Sequence, residues 1–273
     1  MPKIARLIIV SISLFLFAGG AAFAQETATN DFNFEKAYAD YVYSLDLYQS
    51  THGEYKLARA QYLQAQTLVA QTKARDATAK MLTARDDVMI AYLTAIRLKL
   101  GETVGVSEIE RENAYLLIDS EVQWYKTHRN KISSAGTLDD LVDDSDEAKD
   151  QFSDFTGSVI YQALSSMPIA KVSVLRNDGV SLLTNIKSKV EEVKARGDWD
   201  SQIPTIERWV SETDNKITRS LDKTIETQAS VPTTKVREGD YTNVLAKVQE
   251  AYQLLREATG FMREIVRNLR SSR

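Results

Sequence analysis

The sequence predicts an all-α protein: an elongated bundle of about six helices with coiled-coil-like seams and an N-terminal antiparallel helical hairpin. Three observations carry that expectation. Apolar residues from Phe34 onward recur in alternating steps of four and three, the spacing of a single helix face. Backbone breakers are scarce, with 11 glycines and 4 prolines in 273 residues, and Pro2, Gly19 and Gly20 are spent near the start. Outside a few turn-prone spots, no glycine-punctuated alternation marks strands.

The first residues bear on compartment. Lys3 and Arg6 make a short positive start, Leu7 to Ala18 is apolar apart from Ser11 and Ser13, and Gly19-Gly20 lead to Ala22-Phe23-Ala24. That order is the pattern of an export signal, so residues 1–24 are expected to be cut near Ala24 and the protein to be secreted or held in the cell envelope. The alternative is an uncleaved anchor with an extracytoplasmic body, because Leu7–Ala24 is 18 residues, the short limit for a membrane helix. Losing Lys3 and Arg6 would take the formal charge from −4 to −6. With no cysteine, an exported chain has to be stabilised by helix packing without disulfides.

Residues 25–32 read as a polar leader, and residues 33–135 as the hairpin plus a third helix. The first helix carries Phe34, Tyr38, Tyr41, Leu45, Tyr48, His52, Tyr55 and Tyr62 on one face, with Tyr41, Tyr48, Tyr55 and Tyr62 at heptad intervals. The second carries Ala77, Met81, Ala84, Val88, Ala91, Ala95 and Leu98 and closes at Gly101 and Gly105. Rings facing alanines allow close approach, so the two pair about a turn placed near Thr67–Lys73, one continuous helix being the alternative. Ser107 and Glu110 form a capping-box sequence, after which Ile109, Leu116, Leu117, Trp124 and Ile132 define the third helix.

Residues 136–150 are expected to be an acidic linker or a helix of one to two turns. Residues 151–273 are read as a C-terminal helical region. Pro168 is expected to interrupt it, Asn177-Asp178-Gly179 to favour a turn, and Val172–Leu175 has some strand character. Helical spacing then runs through Leu183, Ile186, Val190 and Val193 to a stop at Gly197. Pro204 opens the next helix, with Ile206, Val210, Ile217, Leu221 and Ile225 as its seam. A last helix from about Asp240 is striped by Tyr241, Val244, Val248, Tyr252, Leu255, Met262, Ile265 and Leu269.

Chemistry is sparse. Absence of cysteine excludes thiol catalysis, iron–sulfur sites and zinc fingers, and the acidic balance speaks against a nucleic-acid partner. No phosphate-binding loop, nucleophile elbow, HExxH pair or dinucleotide fingerprint is present, so no catalytic, cofactor or metal residue is assigned and a non-enzyme is expected. His52, between Tyr48 and Tyr55, is read as packed among rings, and His128, among Lys126, Arg129 and Lys131, as solvated. Asp139, Asp140, Asp143, Asp144, Asp146, Glu147 and Asp150 lack the spacing of a calcium loop and read as solvated charge, weak calcium binding being the other reading. Tyr41, Tyr48, His52, Tyr55 and Tyr62 are the candidate interaction or pocket face. Arg263, Arg267, Arg270 and Arg273 are a candidate basic surface.

The segment Tyr38–Leu100, above all LTARDDVMIAYLTAIRLKL at residues 82–100, resembles predicted secreted helical proteins of candidate-phylum bacteria. The likeness covers about a quarter of the chain. It implies export and a helical hairpin, and no activity or site residue.

The expected function is that of an exported scaffold or adaptor acting through helices, on a protein partner or by self-association. Membrane contact is expected only through an uncleaved N-terminus or the C-terminal basic helix. The alternatives are an extracytoplasmic ligand-binding bundle, with the tyrosine face lining a cavity, and an enzyme using paired carboxylates.

Overall fold

A computed structural model describes residues 33–197, 202–232 and 234–271. The expected signal peptide and leader, and Arg273 of the candidate basic surface, lie outside these residues. Chain order runs α1 (Phe34–Ala65), α2 (Leu68–Glu102), α3 (Glu108–Ile132), α4 (Leu138–Gln151), a π turn (Phe152–Thr156), α5 (Gly157–Arg196), α6 (Ile203–Ser230) and α7 (Glu238–Ser271). The protein is all-α, with no strand among the described residues. Because α4, the π turn and α5 follow one another without a break, these elements make six continuous rods.

The hairpin turns at Gln66–Thr67, ahead of most of the span the sequence suggested. Gln66 adopts the left-handed region (φ 49°) and its N–H bonds to the Tyr62 carbonyl. Thr67 then caps α2 by accepting from the Ala70 N–H at 3.2 Å. Antiparallel register follows from three contacts. The Phe34 N–H donates to Glu102 Oε1 at 2.9 Å, the Tyr41 and Tyr92 rings lie 5.2 Å apart, and Lys80 Nζ donates to Glu54 Oε2 at 2.8 Å. α1 packs along α2 and along no other helix to a comparable extent.

The capping box on α3 forms as expected, Ser107 and Glu110 bonding reciprocally. The acidic segment is neither linker nor short helix but 14 residues of α4. Thr137 and Asp140 form a second capping box, Asp139 and Asp140 complement the helix N-terminus, and Leu141, Asp144 and Ala148 are buried at steps of three and four. A linker boundary at 150 therefore falls inside a continuous helical rod.

α5 overrides three further expectations, since Pro168, Val172–Leu175 and Asn177–Gly179 all lie within its 40 residues. Leu164, Met167, Ile169 and Val172 are buried around the proline. Burying four such side chains contributes roughly 6–12 kcal/mol, against the ~3 kcal/mol that an interior proline costs. Gly197 ends α5 at φ 73°, as its position predicted.

α5, α6 and α7 enclose a core of Val172, Leu183, Ile186, Val190, Ile206, Ile217, Leu255, Met262 and Ile265. In α6 the buried face is displaced from the expected seam. Leu221 and Ile225 are exposed, while Thr213, Ser220, Thr224 and Thr227 are buried. The three threonines return their hydroxyl protons to carbonyls one turn back, at 2.6–2.8 Å. Small, self-satisfied side chains of this kind allow α7 a close approach.

Candidate functional site

A gathering of buried acid–base side chains lies where α2, α3 and α4 meet. The buried positions of α3 are Ile118, Glu121, Tyr125, His128 and Ile132, in alternating steps of three and four. The face expected from the sequence is only partly turned inward: Ile109, Leu116 and Leu117 are exposed, while Trp124 is half-buried and Ile132 buried. Three of the five buried positions are polar, and each has partners on neighbouring elements.

His128 is buried, correcting the solvated reading. Its Nδ1 lies 2.5 Å from Asp86 Oδ2 on α2, and its Nε2 lies 2.9 Å from the Asp144 carbonyl on α4. A carbonyl only accepts, so Nε2 donates. One further proton sits between Nδ1 and Oδ2, and the pair is neutral overall whichever atom holds it. Trp124 stacks on the imidazole with ring centroids 4.9 Å apart and planes at 9°. Arg85 Nε stands 3.5 Å from Asp86 Oδ1.

Two turns back, the Glu121 carboxylate receives Gln151 Nε2 at 2.9 and 3.1 Å and the Thr156 hydroxyl at 2.6 Å. Having given its proton to Glu121, Thr156 accepts from Tyr125 Oη at 3.3 Å. Burial pushes the Tyr125 phenol well above its ordinary range, which keeps the proton this relay uses. Thr156 belongs to the π turn, so that irregular turn places the hydroxyl over Glu121.

His128, Asp144 and Glu147 offer ligand atoms within 4.8 Å of one another. A cation of the chain already occupies the position between the carboxylates. Lys131 Nζ lies 2.9 Å from Asp144 Oδ1 and 2.6 Å from Glu147 Oε2, and these hydrogen bonds hold its pKa above the usual lysine range. A metal ion would have to displace both Lys131 and the His128–Asp144 bond. With Asp86 0% exposed and both His128 nitrogens engaged, the arrangement is built to lock three helices in register.

The candidate face on α1 is not gathered into one pocket. Tyr41 is buried against Tyr92. Tyr48, His52 and Tyr55 stack on one another at 5.7 and 6.0 Å, half-buried, with both tyrosines against the cluster of Met81, Leu82, Ile132 and Leu141. Partial desolvation, then the nearby Lys56 charge, lower the His52 pKa. Tyr62 stands apart, half-buried near the hairpin turn. A second tyrosine pair, Tyr161 and Tyr241, joins α5 to α7 at 6.0 Å. The hydroxyls of Tyr41, Tyr161 and Tyr241 are buried without hydrogen-bond partners.

Arg263, Arg267 and Arg270 do share a feature. With Leu182, Ile186, Met262 and Val266 they line an open groove of about 650 Å³ between α5 and α7. Arg267 is paired to Glu264 at 3.0 Å.

Sequence reasoning missed Asp86, Glu121, Tyr125, His128, Asp144 and Thr156. The available signal was the step pattern Ile118-Glu121-Tyr125-His128-Ile132, a seam whose middle is polar. Comparison with known families, curated proteins and solved structures finds no match for this chain.

Proposed function

We propose that the protein is an exported, non-enzymatic helical scaffold or adaptor of the cell envelope or extracellular space, acting through helix-mediated protein interaction. The observation that supports this reading is the free face of α1. Tyr43, Leu47 and Leu57 follow heptad-related spacing and lie opposite the ring-lined face that packs on α2. Tyr43 is 72% exposed, and its two companions are exposed as well. A stripe of this kind is completed by a second helix, from another copy or from a different protein. The reading is consistent with the enclosure of the His128–Asp86 pair, which leaves that acid–base chemistry without access to a substrate.

The test is light scattering on the purified protein, together with photo-cross-linking in envelope extracts from a probe at Ser50, exposed between Leu47 and Leu57. Oligomers or cross-links that disappear in Tyr43→Ser/Leu47→Gln/Leu57→Gln are expected. A monomer that yields no cross-link would overturn the proposal. The groove beside Arg263, Arg267 and Arg270 favours a second reading, a ligand-binding bundle for an anionic amphiphile. Saturable binding of a fluorescent acyl carboxylate, lost in Met262→Glu, would favour it over the scaffold.

A further inference from the structure

The hairpin tip has a composition unlike the rest of the chain. Between Tyr55 and Arg75 there is no acidic residue, and Ala60–Thr72 carries no charge at all, in a protein of which 26% is charged. Around that uncharged cap stand Lys56 and Arg59 on α1 and Lys73 on α2, and none of the three forms an ion pair with a described residue. Arg75, the next cation, bonds to the Gly136 carbonyl at 3.4 Å and so marks where the hairpin leaves the body of the fold. Beyond it, Leu63, Leu68 and Val69 crowd into the last turn of α1 and the first turn of α2. They are 55, 77 and 66% exposed.

We propose that this tip docks on an anionic lipid surface, its aliphatic cap entering the interface and its basic collar meeting the headgroups. The spacing fits. Arg59 lies six residues before the end of α1 and Lys73 five after the start of α2, which sets the collar about 8–9 Å behind the tip. Interfacial helices bury their apolar residues about 5–10 Å deep while lysine and arginine remain at headgroup level. The backbone at the tip tolerates that environment, because Gln66 N–H and Ala70 N–H are bonded within the turn. Charge complementarity selects an anionic surface. The end of two paired helices, with Leu63, Leu68 and Val69 mostly exposed, suits a deformable planar surface better than a protein groove. This contact is separate from the α1 stripe and from both membrane routes expected from the sequence.

The cysteine-free chain permits a local test, since one introduced thiol can carry an environment-sensitive fluorophore. In the full chain, Gln64→Cys reports the tip and Gln249→Cys the body. Vesicles of phosphatidylcholine with phosphatidylglycerol should shift the Gln64 probe to the blue, with no shift on phosphatidylcholine alone and none at Gln249. Lys56→Gln/Arg59→Gln/Lys73→Gln should weaken the interaction about 100-fold. Leu63→Ser/Leu68→Ser/Val69→Ser should abolish the shift while circular dichroism and melting stay unchanged. The proposal is overturned by a probe that stays in water on anionic vesicles, or by an equal shift in the tip variants. A full shift with soluble polyglutamate alone would also overturn it, assigning the collar to acidic proteins.

Discussion

Removing the His128 imidazole would leave the Asp86 carboxylate fully enclosed, with Arg85 at 3.5 Å as its remaining charged neighbour. Losing one member of a buried pair costs about 3–5 kcal/mol, because the survivor is desolvated without compensation. His128→Ala and Asp86→Ala should each lower the unfolding free energy by that amount in urea titrations. Asp86→Leu/His128→Leu should recover much of the loss, giving a large coupling in the double-mutant cycle. Single losses under ~1 kcal/mol would show that water reaches the pair. The position of His128 was legible only in part. Its sequence neighbours Lys126, Arg129 and Lys131 suggest solvent, yet Lys126 and Arg129 lie on other faces of α3, Lys131 reaches past it to Asp144 and Glu147, and the three-and-four steps linking Ile118 to Ile132 run through His128. Periodicity located the seam, while residue polarity pointed the wrong way.

At the scale of elements, the sequence was most informative where local chemistry decides. The Ser107 cap, the Gly197 stop, Pro204 at a helix start and the pairing of α1 with α2 all rest on interactions within a few residues or on long regular stripes. It was least informative where long-range packing outweighs a local preference. Pro168 sits in α5 because buried neighbours on both sides offset its cost. Pro168→Ala should therefore restore the bond to the Leu164 carbonyl and raise stability by roughly 1–3 kcal/mol, read from the shift in urea midpoint. No change would mean that α5 is already relaxed around the ring. In α6 the apolar Leu221 and Ile225 attracted the assignment, although the buried side belongs to threonines that satisfy their own hydroxyls. In α4, seven acids concealed the Leu141–Asp144–Ala148 line that carries its packing.

For the molecule as a whole, the absence of a linker between its halves has a thermodynamic meaning. α4 and α5 are joined through a helical turn, and Thr156 in that turn is tied to Glu121 on α3, so the N-terminal and C-terminal helices share one rod. In one Trp199→Phe/Trp209→Phe variant, Trp124 fluorescence, which reports the N-terminal half, and far-ultraviolet circular dichroism, which reports all the helices, should give the same urea midpoint. Midpoints differing by more than about 0.5 M would show that the halves unfold separately.

The π turn at Phe152–Thr156 also takes up a residue without changing the phase of the rod. Each residue of an α-helix advances the chain by about 100°, and a π turn holds one residue more than the regular spiral would accommodate. Excising a single residue there would leave α4 and α5 intact as helices. The phase of α5 would hold, so that Ile160, Leu164 and Met167 would still face their present neighbours, while the geometry that sets Thr156 over Glu121 would be lost. The extra residue thus serves the Thr156–Glu121 contact more than the phase of the helices on either side of it.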